Sequence, residues 1–303
     1  MLSICLPTYN RLPWLKQALG SVFNQGWGGY PFEVVVADGG SSDGTLEYLY
    51  GLRFDNLKII EEKKPSGMAS ALNACFKKCD GDFVFIGNDD AIIRSGVFVD
   101  ACRTMEEYSG IGLVAPKDIE VKHGGVHGVT LSRMKHFWLL LGKFNMLRRS
   151  IIGSKPVFYE PGFNTYYLDD DSCLTTLSQG YSIYFTRDVG VIHFRVDDSN
   201  TNKAKQRNYD KVVNSGEYGF FLRKWGWLKR NIGEYLGFSG WDRFRVLRWV
   251  WLCDRMYQNR FWRCFSPLYH GWYDFCLSRA VVFPGENVDG LFLGQRFPDE
   301  VLR

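Results

Sequence analysis

The chain has 303 residues, 46% of them apolar and 23% charged, which excludes a disordered or collagen-like protein and leaves room for about two domains. The net charge of +4 is uneven: residues 1–222 carry 24 Lys and Arg against 25 Asp and Glu, whereas residues 223–303 carry 13 against 8, with seven of the ten tryptophans. An anionic partner surface is therefore expected for the second part alone.

Leu2–Leu6 reads as a buried strand, after which Leu15, Leu19, Val22 and Phe23 recur at helical spacing. Phe32–Ala37 is a second continuous apolar strand, ending in the turn-rich stretch Asp38-Gly39-Gly40-Ser41-Ser42-Asp43-Gly44-Thr45 before another helix. Leu57–Glu61 predicts a third strand. Met68, Ala71, Leu72, Cys75, Phe76 and Cys79 then share one helix face, and strand Phe83–Gly87 stops at Asn88-Asp89-Asp90. Strands alternating with helices, apolar on both faces, predict a mostly parallel α/β sheet covered on both sides. Ligands of such sheets gather at the carboxyl ends of the strands.

After Pro116 the rhythm breaks. Residues 120–155 are expected to form a mobile or acceptor-facing insertion around a short amphipathic helix, since Leu131 to Ile152 holds five basic residues and no acidic one. A helix over Tyr166–Gly180 follows, opening on Asp169-Asp170-Asp171 and closed by Gly180. Ser182–Thr186 and Val189–Phe194 predict two strands. Residues 1–215 are thus read as one catalytic domain and 216–303 as a basic, Trp-rich helical extension.

No run approaches about 18 uninterrupted apolar residues, so no membrane span is expected. Met1–Leu6 lacks the basic start of a signal peptide. The cysteines at 5, 75, 79, 102, 173, 253, 264 and 276 contain no CxxC pair, which predicts buried thiols in a reducing cytosol.

The strand ends are acidic where a phosphate-cradling loop would be glycine-rich, and neither GxxxxGK[ST] nor GxGxxG follows the first strand. Asp38 ends the second strand, Asp89-Asp90 the fourth, and Asp169-Asp170-Asp171 opens the late helix. Carboxylates do not hold a diphosphate directly; they hold Mg²⁺ or Mn²⁺, which bridges phosphate oxygens. Taken alone, Asn88-Asp89-Asp90 is equally a polar turn, and one of the three late acids an N-cap.

The order and spacing of Ser3-Ile4-Cys5-Leu6-Pro7-Thr8-Tyr9-Asn10-Arg11, Asp38-Gly39-Gly40-Ser41-Ser42-Asp43-Gly44-Thr45, Gly67-x5-Asn73, Gly81-Asp82 and Asn88-Asp89-Asp90 closely resemble the inverting family 2 glycosyltransferases. The resemblance covers residues 1–115 and, less fully, 160–195. It implies the GT-A fold, a nucleotide-sugar donor and a divalent metal, Mn²⁺ or Mg²⁺. By the same resemblance, Pro7 and Tyr9 line the base pocket, Asp38 and Asp89 face base and ribose, and Asp90 binds the metal. Gly39 replaces the second acid of the family's base-reading pair, and Asn88 the first acid of its D-x-D motif. Asp43 reads as a helix cap. Asp169-Asp170-Asp171 resembles the later Glu-Asp-x-Asp element with Leu168 in place of Glu, so Asp169 falls on the catalytic base and Asp170 is the second choice. A helix N-terminus keeps such a carboxylate ionised and able to accept a proton. His193, after an apolar strand, falls where a histidine can complete the metal shell.

The expectation is a metal-dependent inverting glycosyltransferase acting on a glycan or lipid-linked acceptor, with no nucleic acid as partner. The alternatives are a pyrophosphorylase-like enzyme, which needs a Gly-rich basic loop that Pro7–Arg11 does not supply, and a non-catalytic membrane- or carbohydrate-binding protein. Along Arg243–Cys264, Val246, Val250, Cys253, Tyr257, Phe261 and Cys264 form an apolar stripe, and Arg245, Arg248, Arg255 and Arg263 lie on another face. That pattern suits either packing of the stripe on the catalytic domain or peripheral docking of a cytoplasmic protein on an anionic membrane, and both hold if the stripe faces inward and the arginines face headgroups.

Overall fold

The structure is a computed structural model and describes residues 1–120, 125–127, 130–134, 137–141, 144–153, 157–194, 216–225 and 291–293. The first half alternates strand and helix as the apolar periods dictate: β1 (Leu2–Thr8), α1 (Leu12–Phe23), β2 (Phe32–Asp38), α2 (Thr45–Gly51), β3 (Leu57–Glu61), α3 (Met68–Lys78), β4 (Phe83–Ile86), β5 (Ala91–Ile93) and α4 (Ser95–Glu107). Then come β6 (Ile111–Glu120), β7 (Gly125–His127), β8 (Thr130–Met134), β9 (Phe137–Leu141), β10 (Met146–Arg148), α5 (Arg149–Gly153), α6 (Leu168–Ser178), β11 (Ser182–His193), α7 (Glu217–Trp225) and β12 (Leu291–Leu293).

The main sheet runs β12-β11-β6-β10-β4-β1-β2-β3, with β5 on β11 and β7 on β6. β3, β2, β1 and β4 are parallel, as is β11 to β6. The sheet is mixed rather than purely parallel because β10 enters antiparallel between β4 and β6. Period-2 alternation sends Leu2, Ile4, Leu6, Phe83 and Phe85 to one face, against Leu15, Leu19 and Val22 of α1 and Phe98 and Met105 of α4. Cys5, Val84 and Ile86 face the other way, against Leu72, Cys75 and Phe76 of α3, Leu174 of α6, and Phe221 and Trp225 of α7. Fully burying a Val, Leu, Ile, Phe or Met side chain contributes about 1.5–3 kcal/mol.

Two expectations are corrected. Thr130–Met134 and Phe137–Leu141 form the antiparallel pair β8–β9, from Thr130↔Leu141 to Met134↔Phe137, inside the stretch read as an insertion around a short amphipathic helix. The dense run Phe137-Trp138-Leu139-Leu140-Leu141 suits cross-strand pairing, and α5 is only a short turn of helix after it. The two strands expected within 182–194 are one, β11, whose pairing with β6 slips between Phe185 and Val189 and again before Val191. The irregular register accommodates the polar Thr186-Arg187-Asp188 that reads as a break in sequence.

Two motif residues fasten α3 to the segment ahead of α6. Gly67 sits at φ +90°, and a Cβ there would lie 1.8 Å from Asn164 Oδ1. The Ala69 amide donates to the Asn164 carbonyl at 2.8 Å. Asn73 gives its Nδ2 proton to the Tyr159 carbonyl (2.8 Å) and accepts from the Tyr159 amide (3.0 Å). Gly67-x5-Asn73 thus closes the loop that leads to the late acids.

Cys5, Cys75, Cys79, Cys102 and Cys173 are buried. Among the described residues no helix is long and apolar enough to cross a membrane. Arg243–Cys264 lies outside the described residues, as does the helical extension beyond Trp225.

Candidate active site

The carboxyl ends of β1, β2 and β4 carry three loops that are laced together. Asn10, at φ +52°, a conformation asparagine tolerates, accepts from the Ser42 amide at 2.8 Å, while its own amide donates to Ser41 Oγ at 2.8 Å. Asp43 accepts from the Leu12 amide (2.9 Å) and from Thr45 Oγ1 (2.6 Å), so it caps the first turn of α1 from the neighbouring loop. Burial pushes the Asp43 carboxyl up, and these hydrogen bonds outweigh it, leaving the group below its ordinary value.

Pro7 is buried at the end of β1, beyond Cys5↔Ile86 where the pairing with β4 stops. The Tyr9 ring follows it and is 47% exposed, as a stacking platform needs to be. Asp38 is wholly buried. Its Oδ2 accepts from the amides of Gly40 and Ser41 at 3.1 and 2.9 Å, but Oδ1 has no partner. A buried carboxylate oxygen without a donor is costly, and it lies at the end of a strand where a ligand could supply one. Gly39, beside it, is closely packed: a Cβ there would meet Tyr9 Cβ at 3.3 Å and the Thr8 carbonyl at 3.4 Å, so a larger residue needs a small shift of its neighbours.

Asp89 and Asp90 are each 5% exposed. Thr8 Oγ1 donates to Asp89 at 2.9 Å and Arg11 Nη1 at 3.0 Å, and Arg11 also lies 3.6 Å from Asp90. Burial pushes the Asp89 carboxyl up, and Arg11 and Thr8 offset only part of that. The antiparallel register His193↔Ala91 carries the end of β11 to the start of β5. There His193 Nε2 donates to Asp90 Oδ1 at 3.1 Å and lies 3.5 Å from Asn88. Phe144 packs edge-on against the imidazole with ring centres 4.9 Å apart. Two residues separated by more than a hundred positions are brought together by one strand pairing.

Among the described residues no group of three or more His, Cys, Asp or Glu side chains forms a cation cage. The Asp90–His193 pair nevertheless fits Mg²⁺ or Mn²⁺ of the kind held by one or two side chains plus substrate phosphates and water. His193 Nδ1 is buried without a partner, so the bond of Nε2 to Asp90 is the contact that orients the ring.

The late acids open α6 and differ sharply in setting. Asp169 is half-buried and Asp170 is 9% exposed. Asp171 is wholly buried, bonded to Lys224 (2.8 Å) and to the indole N–H of Trp225 (2.7 Å). Burial pushes the Asp171 carboxyl up and Lys224 draws it back. Asn145, fully buried ahead of β10, ties this helix to the end of β4: its carbonyl accepts from the Ile86 amide at 2.9 Å, and its Nδ2 donates to the Asp169 carbonyl at 2.9 Å. The structure therefore gathers Asp38, Asp89, Asp90, His193 and the Asp169–Asp171 turn at one end of the sheet.

Arg11, Asn145, Glu217, Lys224 and Trp225 serve the site without having been singled out from sequence. Arg11 stood inside a recognised motif with no role attached. Asn145 lies in the stretch read as an insertion, and no local pattern marks it. Glu217, Lys224 and Trp225 belong to a helix whose destination only packing shows.

Residues 3–124 match the family model described as Glycosyl transferase family 2. Poly(ribitol-phosphate) beta-N-acetylglucosaminyltransferase TarS of Staphylococcus aureus is 30% identical over 128 residues, 42% of this chain and 21% of that protein. Abequosyltransferase RfbV of Salmonella typhimurium is 31% identical over 103 residues, 33% of this chain and 31% of that protein. The chain thus spans about a fifth to a third of the length of these relatives. The fold matches S. aureus TarS 1–349 in complex with UDP-GlcNAc at a TM-score of 0.51 and 22% identity, over 65% of this chain and 59% of that one. It also matches the mannosyltransferase PcManGT from Pyrobaculum calidifontis in complex with GDP-Man and Mn²⁺, at a TM-score of 0.52 and 21% identity, over 73% and 64%. A parallel first half, an antiparallel β10 beyond it and acidic strand ends make this the GT-A fold, and residues 3–124 are similar to glycosyl transferase family 2.

Proposed function

We propose that this chain is a metal-assisted, inverting glycosyltransferase that moves a sugar from a nucleoside-diphosphate donor to a hydroxyl of a glycan or lipid-linked saccharide. The observation that carries the reading is the convergence of the Asp90–His193 pair, the unpartnered Asp38 oxygen and the Asn145-tethered Asp169 at the same sheet end. The family match and the donor-bound neighbours support the same class of reaction.

In this reading Tyr9 stacks on the base over Pro7, while Asp38 Oδ1 and Asp89 accept hydrogen bonds from base and ribose. Asp90 and His193 hold Mn²⁺ or Mg²⁺, which when bound neutralises charge on the departing diphosphate. Arg11, between Asp89 and Asp90, adds a fixed positive charge beside them. Asp169, at the positive end of α6, takes the proton from the acceptor hydroxyl as its oxygen attacks the anomeric carbon opposite the leaving group. Asp170 is the second candidate for that role. Peripheral contact of the basic 216–303 region with an anionic, cytoplasm-facing membrane belongs to the same proposal, as the place where a lipid-linked acceptor is met.

Thermal melting of the full chain against a panel of nucleoside diphosphates and nucleotide sugars, with and without Mn²⁺, tests the reading. A true donor at 100 times its Kd stabilises by about 2.7 kcal/mol through mass action. The expected result is one base that raises Tm strongly and only with the metal; a panel with no metal-dependent shift overturns the proposal.

A further inference from the structure

The acid turn of α6 is gripped from one side by α7, a helix that the charge and Trp pattern assigned to the C-terminal extension. Glu217, at the start of α7, is 5% exposed, and its Oε2 accepts from three successive amides, those of Asn164, Thr165 and Tyr166, each at 2.9 Å. At the other end of α7, Lys224 Nζ lies 2.8 and 3.0 Å from the two Asp171 oxygens and 2.8 Å from Glu160. Trp225 adds its indole N–H to Asp171. Between these ends Phe221 stacks on Tyr167, ring centres 5.0 Å apart and planes 21° apart, and Tyr167 holds φ +65° immediately before α6 begins.

This grip bears on chemistry through helix geometry. Consecutive residues of an α-helix point about 100° apart. Holding Asp171 inward on Lys224 and Trp225 therefore fixes the azimuth of Asp170 and Asp169 in the same turn. Glu217 fixes where that turn starts, because the three amides it binds end one residue before Tyr167. α3 holds the opposite side of the same segment through Asn73 and Asn164. Asp171 is thus the anchor of the triplet, which leaves Asp169 and Asp170 as the carboxylates able to meet an acceptor.

We propose that Glu217, Lys224 and Trp225 are positioning residues that set the orientation of the Asp169–Asp170 carboxylates, so that α7 is part of the catalytic unit. The inference rests on the reading of Asp169 or Asp170 as the base. A misplacement of the base by about 1 Å is enough to cost about 10²-fold in turnover, and it should leave the donor pocket alone, since the grip of α7 falls on residues 160–171.

The test uses the full chain and the donor that gives turnover. Lys224→Met and Glu217→Gln are expected to lower kcat by about 10²-fold with donor KM within about twofold of wild type, and Lys224→Arg to recover most of the loss. Amide exchange over residues 164–171 should quicken while residues 1–60 keep their protection. If Lys224→Met fails to fold, Trp225→Phe, which removes only the indole N–H and trims the ring, carries the same expectation. A lowered Tm with unchanged kcat per folded molecule in Trp225→Phe and Glu217→Gln makes the grip a structural staple only and overturns the proposal. Asp169→Asn is measured alongside: its retained activity overturns the choice of base alone, and α7 is still judged by the Lys224 and Trp225 variants.

Discussion

Asp90→Asn keeps the volume of the side chain and a group able to meet His193, and it removes the charge that would bind a cation. Loss of Mn²⁺-stimulated turnover with Tm changed by only a few degrees is the expected outcome, because Asp90 lies in the turn between β4 and β5 and Arg11 retains Asp89 as its closer partner. Near-normal activity that Mn²⁺ still stimulates would reassign the metal. Asp169→Asn likewise preserves size while removing the proton acceptor, a loss of about 10²–10⁴ in rate with donor affinity little changed. If Asp170→Asn is inactive and Asp169→Asn is not, the base is Asp170. Asp171 is the member that sequence alone could not separate from its neighbours: adjacent acids in one helical turn look alike until a buried cation, Lys224, shows which one faces inward.

Among elements, the edge of the sheet away from the site carries its own charge device. Glu33, at the start of β2, is buried and accepts from Ser3 Oγ and the Asp80 amide, each at 2.6 Å, with Lys58 of β3 at 2.5 Å. Burial pushes the Glu33 carboxyl up, but these donors together hold it below its ordinary value. A carboxyl depressed in the folded state stabilises above its unfolded pKa, and that contribution is lost as pH falls through the folded value. Wild-type Tm should therefore drop more steeply than that of Glu33→Gln between about pH 5 and pH 3; parallel melting curves would exclude the network as a stabilising one. The elements themselves were legible wherever a single period ran unbroken, as in β1, β2, α3 and α6. They were misread at β8 and β9, where a basic, apolar stretch satisfies a helical pattern locally and a strand pattern only once its partner is found.

At the scale of the whole molecule, the charge asymmetry predicts a function for the region beyond the site. Each basic residue near an anionic surface is worth about 1 kcal/mol, so the full chain should float with anionic vesicles, fail to float with neutral ones, and lose binding in salt. Changing Arg245, Arg248 and Arg255 to Glu should weaken it further. Indifference to anionic vesicles at low salt would remove membrane docking from the proposal. The same region begins inside the described structure, where Phe221 and Trp225 fill the core beside α3 and α6, so α7 is shared between the site and whatever follows it.

Local chemistry determined the strand-and-helix order of residues 1–87, the acidic strand ends and the candidate ligands, because apolar period and turn composition act over a few residues and need no partner. Tertiary structure decided which of those ligands meet. Asp90 meets His193 because β5 pairs with β11, and Asp169 is tied to the end of β4 by Asn145, just ahead of the strand that breaks the parallel order. It also decided that Lys224 of a seemingly separate basic tail neutralises Asp171, an ion pair whose partners stand 53 residues apart. Such contacts depend on register and on which buried charge must be matched, and neither quantity is written in any short window of sequence.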